Sequence, residues 1–469
     1  MNFNLLLAVD SYKHSHFNQY PKDMKGMFAY VEPRKGDYKN IVFFGLQSIL
    51  MKYLSKPTTM EDINEAEPIL INHGVPFNRA GWEYIVREHK GVLPIKISAL
   101  PEGTVVPIGV PVITVESTDM NVPWIVSFIE TVILKVWYPT TVATLSWHIK
   151  QVLNKYAVET ASRGFSTDLQ LHDFGARGVS SEESAEIGGS AHLVNFKGSD
   201  TLSAIRHIKE YYNYDSLSYS IPASEHSTIT AWGKEHEGEA YKNLLDMYAK
   251  KSSVVACVSD SYDLKHAIES YWCGSLKRQV IESGAVIVIR PDSGDPVDTS
   301  AMTVTLLDKY FGSSINDKGF KVLNHVRVVY GDGINQTSIE NILNKYKSLG
   351  FSSENITFGM GGALLQQVNR DTLSFAMKTS DVYVGGKWCG VNKDPITDPN
   401  KASRKGHIIT HYNPEARMYE VVDSGAYTDK NNAMQCVFLN GRVNAVSFEI
   451  IRKRATMVPE TVITYADPF

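Results

Sequence analysis

Between Leu171 and Gly362, short apolar runs end seven times in clusters of polar, glycine or charged residues. The clusters are His172-Asp173-Phe174-Gly175, Asn195-Phe196-Lys197-Gly198-Ser199-Asp200, Ser224-Glu225-His226, Ser259-Asp260-Ser261-Tyr262-Asp263, Arg290-Pro291-Asp292-Ser293-Gly294-Asp295, Gly331-Asp332-Gly333 and Gly359-Met360-Gly361-Gly362. Successive clusters lie roughly 20 to 40 residues apart, the length of one strand–loop–helix unit. Val286-Ile287-Val288-Ile289 and Val326–Val329 are near-continuous apolar runs, as expected of strands covered by helices on both faces. The rhythm predicts an α/β barrel of parallel strands, whose chemistry belongs at their carboxyl ends.

The flanking segments read differently. Phe43–Leu54 and Met60–Ile71 carry helical spacing, while Ile95, Ile97, Val105, Val106, Ile108, Val112, Ile113 and Val115 mark short strands between Gly- and Pro-containing turns. Val122–Trp147 is the most apolar stretch, but Glu130, Lys135 and Pro139 make it a buried helix rather than a membrane span. Strand character returns after Asp394, and Asn440-Gly441 between apolar flanks predicts a hairpin. The expected organisation is an N-terminal α+β region over 1–165, a barrel over 166–392 and a β-rich C-terminal segment over 393–469. The first and last are expected to pack together as one discontinuous domain.

Composition narrows the class. In 469 residues, 43% are hydrophobic and 21% charged, ordinary for a globular protein with a large core. A net charge of -4 offers no basic face for nucleic acid, so an anionic ligand must be held by a local cluster. The four cysteines (Cys257, Cys273, Cys389, Cys436) form no CxxC pair and suit a reducing compartment. With no basic segment at the start and Asp10 interrupting Leu5–Val9, a cytoplasmic enzyme is expected.

Several rim clusters have the residue types of a phosphate and sugar site. Gly361 and Gly362 pass from a strand end into a helical pattern, and Gly331-Asp332-Gly333 lies one unit earlier; both suit close backbone approach to an anion, although glycines also simply make turns. Arg290 is able to clamp phosphate, and Asp292 to accept ribose hydroxyls or hold Mg²⁺ through water; a solvated loop salt bridge is the plain alternative. Phe174 among His172, Asp173 and Arg177 suggests a stacked flat ring or a core aromatic. His226, without a second histidine at metal-ligand spacing, is either structural or catalytic. Asp260 and Asp263 either cap a helix or hold a cation. The polar run Asp10-Ser11-Tyr12-Lys13-His14 stands beside an apolar one with no assigned role.

Taken together, Asp10-Ser11-Tyr12-Lys13, the blocks around Phe174, Asp200 and His226, Ile289–Gly294, Gly331-Asp332-Gly333 and Lys393-Asp394-Pro395 with Asp398-Pro399-Asn400-Lys401 closely resemble the nicotinamide phosphoribosyltransferases. The likeness runs from Asn4 to about Arg452. It implies the type II phosphoribosyltransferase fold, a homodimer with shared active sites, and transfer of a phosphoribosyl group from its pyrophosphate to nicotinamide with Mg²⁺. It also implies roles. Phe174 and Tyr12 of a second copy would sandwich the ring; Arg177 and Arg290 would line the ring and phosphate pocket; Asp200 would accept from the carboxamide. Asp292 would hold the ribose, and Gly331, Asp332, Gly361 and Gly362 its phosphate, with Arg370 and Lys378 reaching across. Asp260, Lys393 and Lys401 would stand near the pyrophosphate or Mg²⁺, and His226 would be phosphorylated by ATP. Ala176, Ala256, the Gly359–Ala363 loop and a short loop after Arg34 depart from the family pattern.

Three other readings remain. The first is a nicotinate phosphoribosyltransferase, against which the carboxylate of Asp200 argues by like-charge repulsion. The second is a Schiff-base aldolase or isomerase using Lys197, the one lysine between Leu171 and Gly362 that directly follows an apolar run read as a strand. The third is a non-catalytic binding protein on the same fold.

Overall fold

The computed structural model describes residues 3–215, 218–250, 252–397, 402–423 and 431–457. The chain divides into two compact units, one of residues 145–206 and 216–367, the other of 1–144, 207–215 and 368–469. These divisions fall before the 165/166 and 392/393 boundaries read from the sequence. At the second, Phe375–Val384 leaves the barrel segment because it pairs antiparallel with Gly26–Pro33.

In the first unit six parallel strands lie in the order Gly198–Ser199, Leu171–Asp173, Ile356–Met360, Val326–Tyr330, Val286–Arg290 and Val254–Val258. A seventh stave closes the ring: Tyr219 bridges Gly198 and Ala223 bridges Ala256, both in parallel sense. Six of the seven staves lead into one of the polar clusters and the other, Gly198–Ser199, lies within one, so the predicted α/β barrel is present in irregular form. Its helices start where local chemistry allows. Asp295 accepts from the amides of Val297 and Asp298 ahead of Pro296–Phe311, and Asn335 with Ser338 forms a capping box on Gln336–Ser348.

One strand was misplaced by the sequence pattern. The apolar run Ala191–Phe196 completes the helix Glu182–Leu193 and the turn after it; the strand itself is Gly198–Ser199. Lys197 therefore precedes its strand and stands at the amino end of the barrel, paired with Asp168 at 2.9 Å. That position, together with the ion pair, removes the observation on which a Schiff-base role rested.

The second unit is built around a seven-stranded sheet drawn from both ends of the chain. Its order is Lys387–Gly390, Phe375–Val384, Gly26–Pro33, Ile113–Ser117, Ile95–Ala99, Gln435–Leu439, Arg442–Val443. Asn440 and Gly441 both have positive φ (45° and 82°), the tight turn that lets Leu439 pair with Arg442. The core includes Met27, Ala29, Val31, Ile95, Ile97, Ile113 and Val115, with Trp82 wedged against Trp124 and Phe128 at ring distances of 5.2 and 5.0 Å. The apolar stretch from Val122 breaks into Ile125–Phe128, Glu130–Ile133, a 3-10 turn and the long helix Trp137–Thr160. No helix among the described residues is long and apolar enough to cross a membrane.

Candidate active site

The carboxyl end of the barrel collects most of the residues singled out by sequence. Phe174 follows the Leu171–Asp173 strand, its amide donating to the Met360 carbonyl at 3.0 Å. Its ring lies against Gly359, where an added Cβ would stand 1.9 Å from Phe174 Cε2. At Gly331 an added Cβ would sit 3.5 Å from the same ring atom and 3.4 Å from Asp292 Oδ1. The glycines thus leave one floor bordered by an aromatic face and a carboxylate.

Asp260 organises the neighbouring wall. Its side chain is 4% exposed, with Oδ1 3.0 Å from His226 Nε2. Its Oδ2 accepts from the Asp292 amide at 2.9 Å and from the Ser293 hydroxyl. Burial opposes ionisation of Asp260, but Ser293, the Asp292 amide and His226 hold its pKa below the usual value. Asp292 shifts the other way, raised by burial and by Asp260 against the pull of Arg290. Its Oδ2 lies 3.7 Å from Arg290 Nη2 and 3.9 Å from His226 Nδ1, long contacts that leave hydrogen-bonding capacity over. The buried Nε of Arg290 has no hydrogen-bond partner among the described residues.

Other residues frame this group. Tyr330 donates to the carbonyls of Ser293 and Gly294 at 3.0 and 3.2 Å and so supports the Asp292 loop, a role no sequence signal marked. The carboxylate of Asp200 is exposed and accepts from Ser220 at 2.5 Å. Arg177 lies on the 3-10 turn Ala176–Gly178, and Asp332 is exposed after the Val326–Tyr330 strand. Gly361 precedes the four-residue helix Gly362–Leu365. Asp263 caps a helix by accepting from the His266 amide at 2.9 Å, which separates it from Asp260.

The sheet unit holds a second group. Arg370 and Lys378 line a cavity of about 460 Å³ with Arg34, Lys35 and Glu130. Burial, reinforced by Arg34, Lys393 and Lys13, lowers the Lys378 pKa against the opposing charge of Glu130. Arg34 and Lys35 belong to this cationic cluster, but the sequence reading passed over them because strand pairing alone brings them to Arg370. Tyr12 is 56% exposed on the turn Ser11–Asn18, beside Lys13, which pairs with Glu130. The Lys393 amide donates to the Ser403 hydroxyl at 2.8 Å, and Lys401 lies outside the described residues.

Known proteins supply the family. Residues 169–441 match the Nicotinate phosphoribosyltransferase (NAPRTase) family, and residues 4–97 match the nicotinamide phosphoribosyltransferase N-terminal domain. A nicotinamide phosphoribosyltransferase of Xanthomonas campestris is 49% identical over 447 residues, covering 94% of this chain and 95% of the relative. Another, of Acinetobacter baylyi, is 32% identical, covering 94% of each. Among solved structures, nicotinate-nucleotide pyrophosphorylase of Pyrococcus furiosus aligns with a TM-score of 0.62 at 14% identity, covering 96% of this chain and 95% of the other. Human nicotinic acid phosphoribosyltransferase aligns with a TM-score of 0.57 at 14% identity, covering 95% of this chain and 92% of the other. These two likenesses concern the fold alone, which is that of the type II phosphoribosyltransferases. By profile and by relatives along nearly its full length, this chain belongs to the nicotinate phosphoribosyltransferase family and carries the N-terminal domain of the nicotinamide enzymes.

Proposed function

We propose that this chain is a nicotinamide phosphoribosyltransferase, a pentosyltransferase making nicotinamide mononucleotide and pyrophosphate in the first step of NAD salvage from nicotinamide. The observation that carries this reading is the shared floor at Gly331, where the Phe174 ring and the Asp292 carboxylate border one space. A flat base on Phe174 would then lie next to a ribose whose hydroxyls donate to Asp292.

The pyridine nitrogen forms a bond to the anomeric carbon while the bond from that carbon to pyrophosphate breaks, the electron pair leaving with pyrophosphate. No protein nucleophile is needed. Catalysis comes from orienting the base and stabilising the departing anion. Arg290, with a buried unpartnered Nε, is built to receive an anion. Gly331, Asp332, Gly361 and Gly362 suit the ribose phosphate by leaving backbone accessible. Arg177 stands at the ring end, and Asp200 accepts from the carboxamide N–H while repelling a carboxylate.

Magnesium fits this donor set as an ion arriving with the diphosphate. Among the described residues no three His, Cys, Asp or Glu side chains gather to hold a metal, and both Asp260 oxygens already have partners. Bound there, it would supply positive charge to the leaving group, with Asp292, whose carboxylate makes only long contacts among the described residues, as the side chain that would hold it. The role of Asp260 is to orient His226 and the Asp292 loop.

The exposed imidazole of His226 suits phosphoryl transfer from ATP, in which a nitrogen–phosphorus bond forms and ADP departs. Tyr12, Arg370, Lys378 and Lys393 would serve the site of a second copy in a homodimer, with Lys401 in the same group. A cytoplasmic location accords with four free cysteines.

The test is product formation by purified protein with phosphoribosyl pyrophosphate and Mg²⁺, offering nicotinamide and nicotinate in parallel, with and without ATP. Mononucleotide from nicotinamide alone, increased by ATP, is the expected result. Preference for nicotinate would overturn the base assignment, and no product from either base would overturn the enzyme reading.

A further inference from the structure

Asp173 lies directly beneath this site and touches no substrate in the scheme above. It ends the Leu171–Asp173 strand, is 0% exposed, and has no ion-pair partner among the described residues. Burying a carboxyl without a cation is costly, so the groups it meets need a reason to be there. Its Oδ1 accepts from the Gly175 amide at 2.7 Å, and its Oδ2 lies 3.4 Å from the Ser199 hydroxyl. Its backbone carbonyl accepts from the Asp200 amide at 3.0 Å. Ser199 in turn accepts from the Thr201 amide at 3.0 Å.

These contacts bracket two residues of the base site. Phe174 lies between Asp173 and the Gly175 amide that its carboxyl grips. Asp200 lies between Ser199 and Thr201, its own amide held by the Asp173 carbonyl. One residue therefore sets the spacing between the aromatic platform and the carboxylate that reads the ring substituent. The surroundings leave room for it on both sides. A Cβ on Gly175 would stand 3.0 Å from Oδ1 and 2.6 Å from the Leu365 side chain, and one on Gly189, from the helix Glu182–Leu193, 3.0 Å from Oδ2 and 2.7 Å from Ala204 Cβ.

We propose that Asp173 is a positioning residue for base recognition, holding Phe174 and Asp200 in register so that nicotinamide is both stacked and distinguished from nicotinate. The inference rests on the phosphoribosyltransferase reading. Among the described residues no hydrogen bond or ion pair joins Asp173 to Arg290, Asp292 or Gly331, so its largest effect is expected on the base.

The experiment begins with wild-type enzyme, whose failure to turn over nicotinamide would strike the functional reading before this proposal is tested. In an active enzyme, Asp173→Asn keeps the shape and one acceptor for the Gly175 amide but replaces the oxygen facing the Ser199 hydroxyl with an amide N–H and removes the charge. The expected result is a rise of about tenfold in the nicotinamide KM, with the phosphoribosyl pyrophosphate KM within about twofold of wild type. The preference for nicotinamide over nicotinate should fall by about tenfold. Ser199→Ala, a gentler change, should move the same two quantities by about threefold in the same directions. If Asp173→Asn does not fold, Ser199→Ala decides the matter. Both substrate KM values rising together, or an unchanged base preference in a folded variant, would overturn the proposal.

Discussion

The two ends of the barrel treat charge in opposite ways. At the amino end, Asp168 is held by Lys150 at 2.6 Å and Lys197 at 2.9 Å, Lys318 donates to the Ala157 and Val158 carbonyls, and Arg327 donates to the Leu323 and Val326 carbonyls. At the carboxyl end, among the described residues, the Asp292 carboxylate has ion-pair contacts of 3.7 and 3.9 Å, and Arg290 keeps a buried donor unused. Folding alone favours pairing charged groups, as Asp168, Lys150 and Lys197 do at the amino end. The unspent capacity at the other end is a cost to the apo fold that a ligand removes on binding. Where charge is left over thus marks the carboxyl end as the one proposed to hold the site.

The largest expected effect comes from removing that unspent donor. Arg290→Ala should lower kcat/KM by about 1,000-fold while leaving Tm within about 2 °C, and a loss of stability matching the loss of activity would blur the contrast. Gly359→Ala places a methyl into Phe174 and should raise the nicotinamide KM by roughly 30-fold with little change for phosphoribosyl pyrophosphate. Equal changes in both substrates would show that Phe174 is no base platform. Asp200→Ser and Asp200→Asn should improve nicotinate turnover relative to nicotinamide by about tenfold, measured in competition. Unchanged nicotinate turnover in both would remove the charge-repulsion argument.

The smallest effects belong at the amino end. Lys197→Met should cost about 1 kcal/mol of stability, since the pair is partly solvated, and leave kcat within about twofold. Borohydride with a ketone substrate should trap nothing on Lys197. Burial alone would raise the Asp168 pKa, yet Lys150 and Lys197 hold it down to about 2. A folded-state pKa below the unfolded one means the stabilisation is complete above about pH 4. It is lost as pH falls through about 2. Acid titration of wild type and Lys197→Met should therefore converge below pH 2, and a constant difference across that range would contradict the assignment.

Much of this contrast was legible in the sequence. Val286–Arg290 and Val326–Tyr330 read as buried strands because helices cover both faces, and the polar clusters after them marked the rim. The Asn440-Gly441 hairpin followed from turn chemistry alone. Lys197 was misread because the apolar end of a helix, Ala191–Leu193, runs into the following turn and imitates a strand. Asp173 was noticed only as a neighbour of Phe174, since its reach to Ser199 depends on parallel pairing between Leu171–Asp173 and Gly198–Ser199. Arg34 and Lys35 were invisible for the same reason: their place beside Arg370 and Lys378 is created by tertiary pairing of segments more than 300 residues apart.

The seventh stave has a consequence for how the barrel breathes. Among the described residues two backbone hydrogen bonds join it to each neighbour: Ser199 to Tyr219 and Tyr219 to Lys197 on one side, Ser224 to Ala256 and Ala256 to Pro222 on the other. Local opening starts where protection is thinnest. Amide hydrogens around Tyr219–Ser224 should exchange with solvent ahead of those in Val286–Arg290, making the segment that leads into His226 the least cooperative part of the ring.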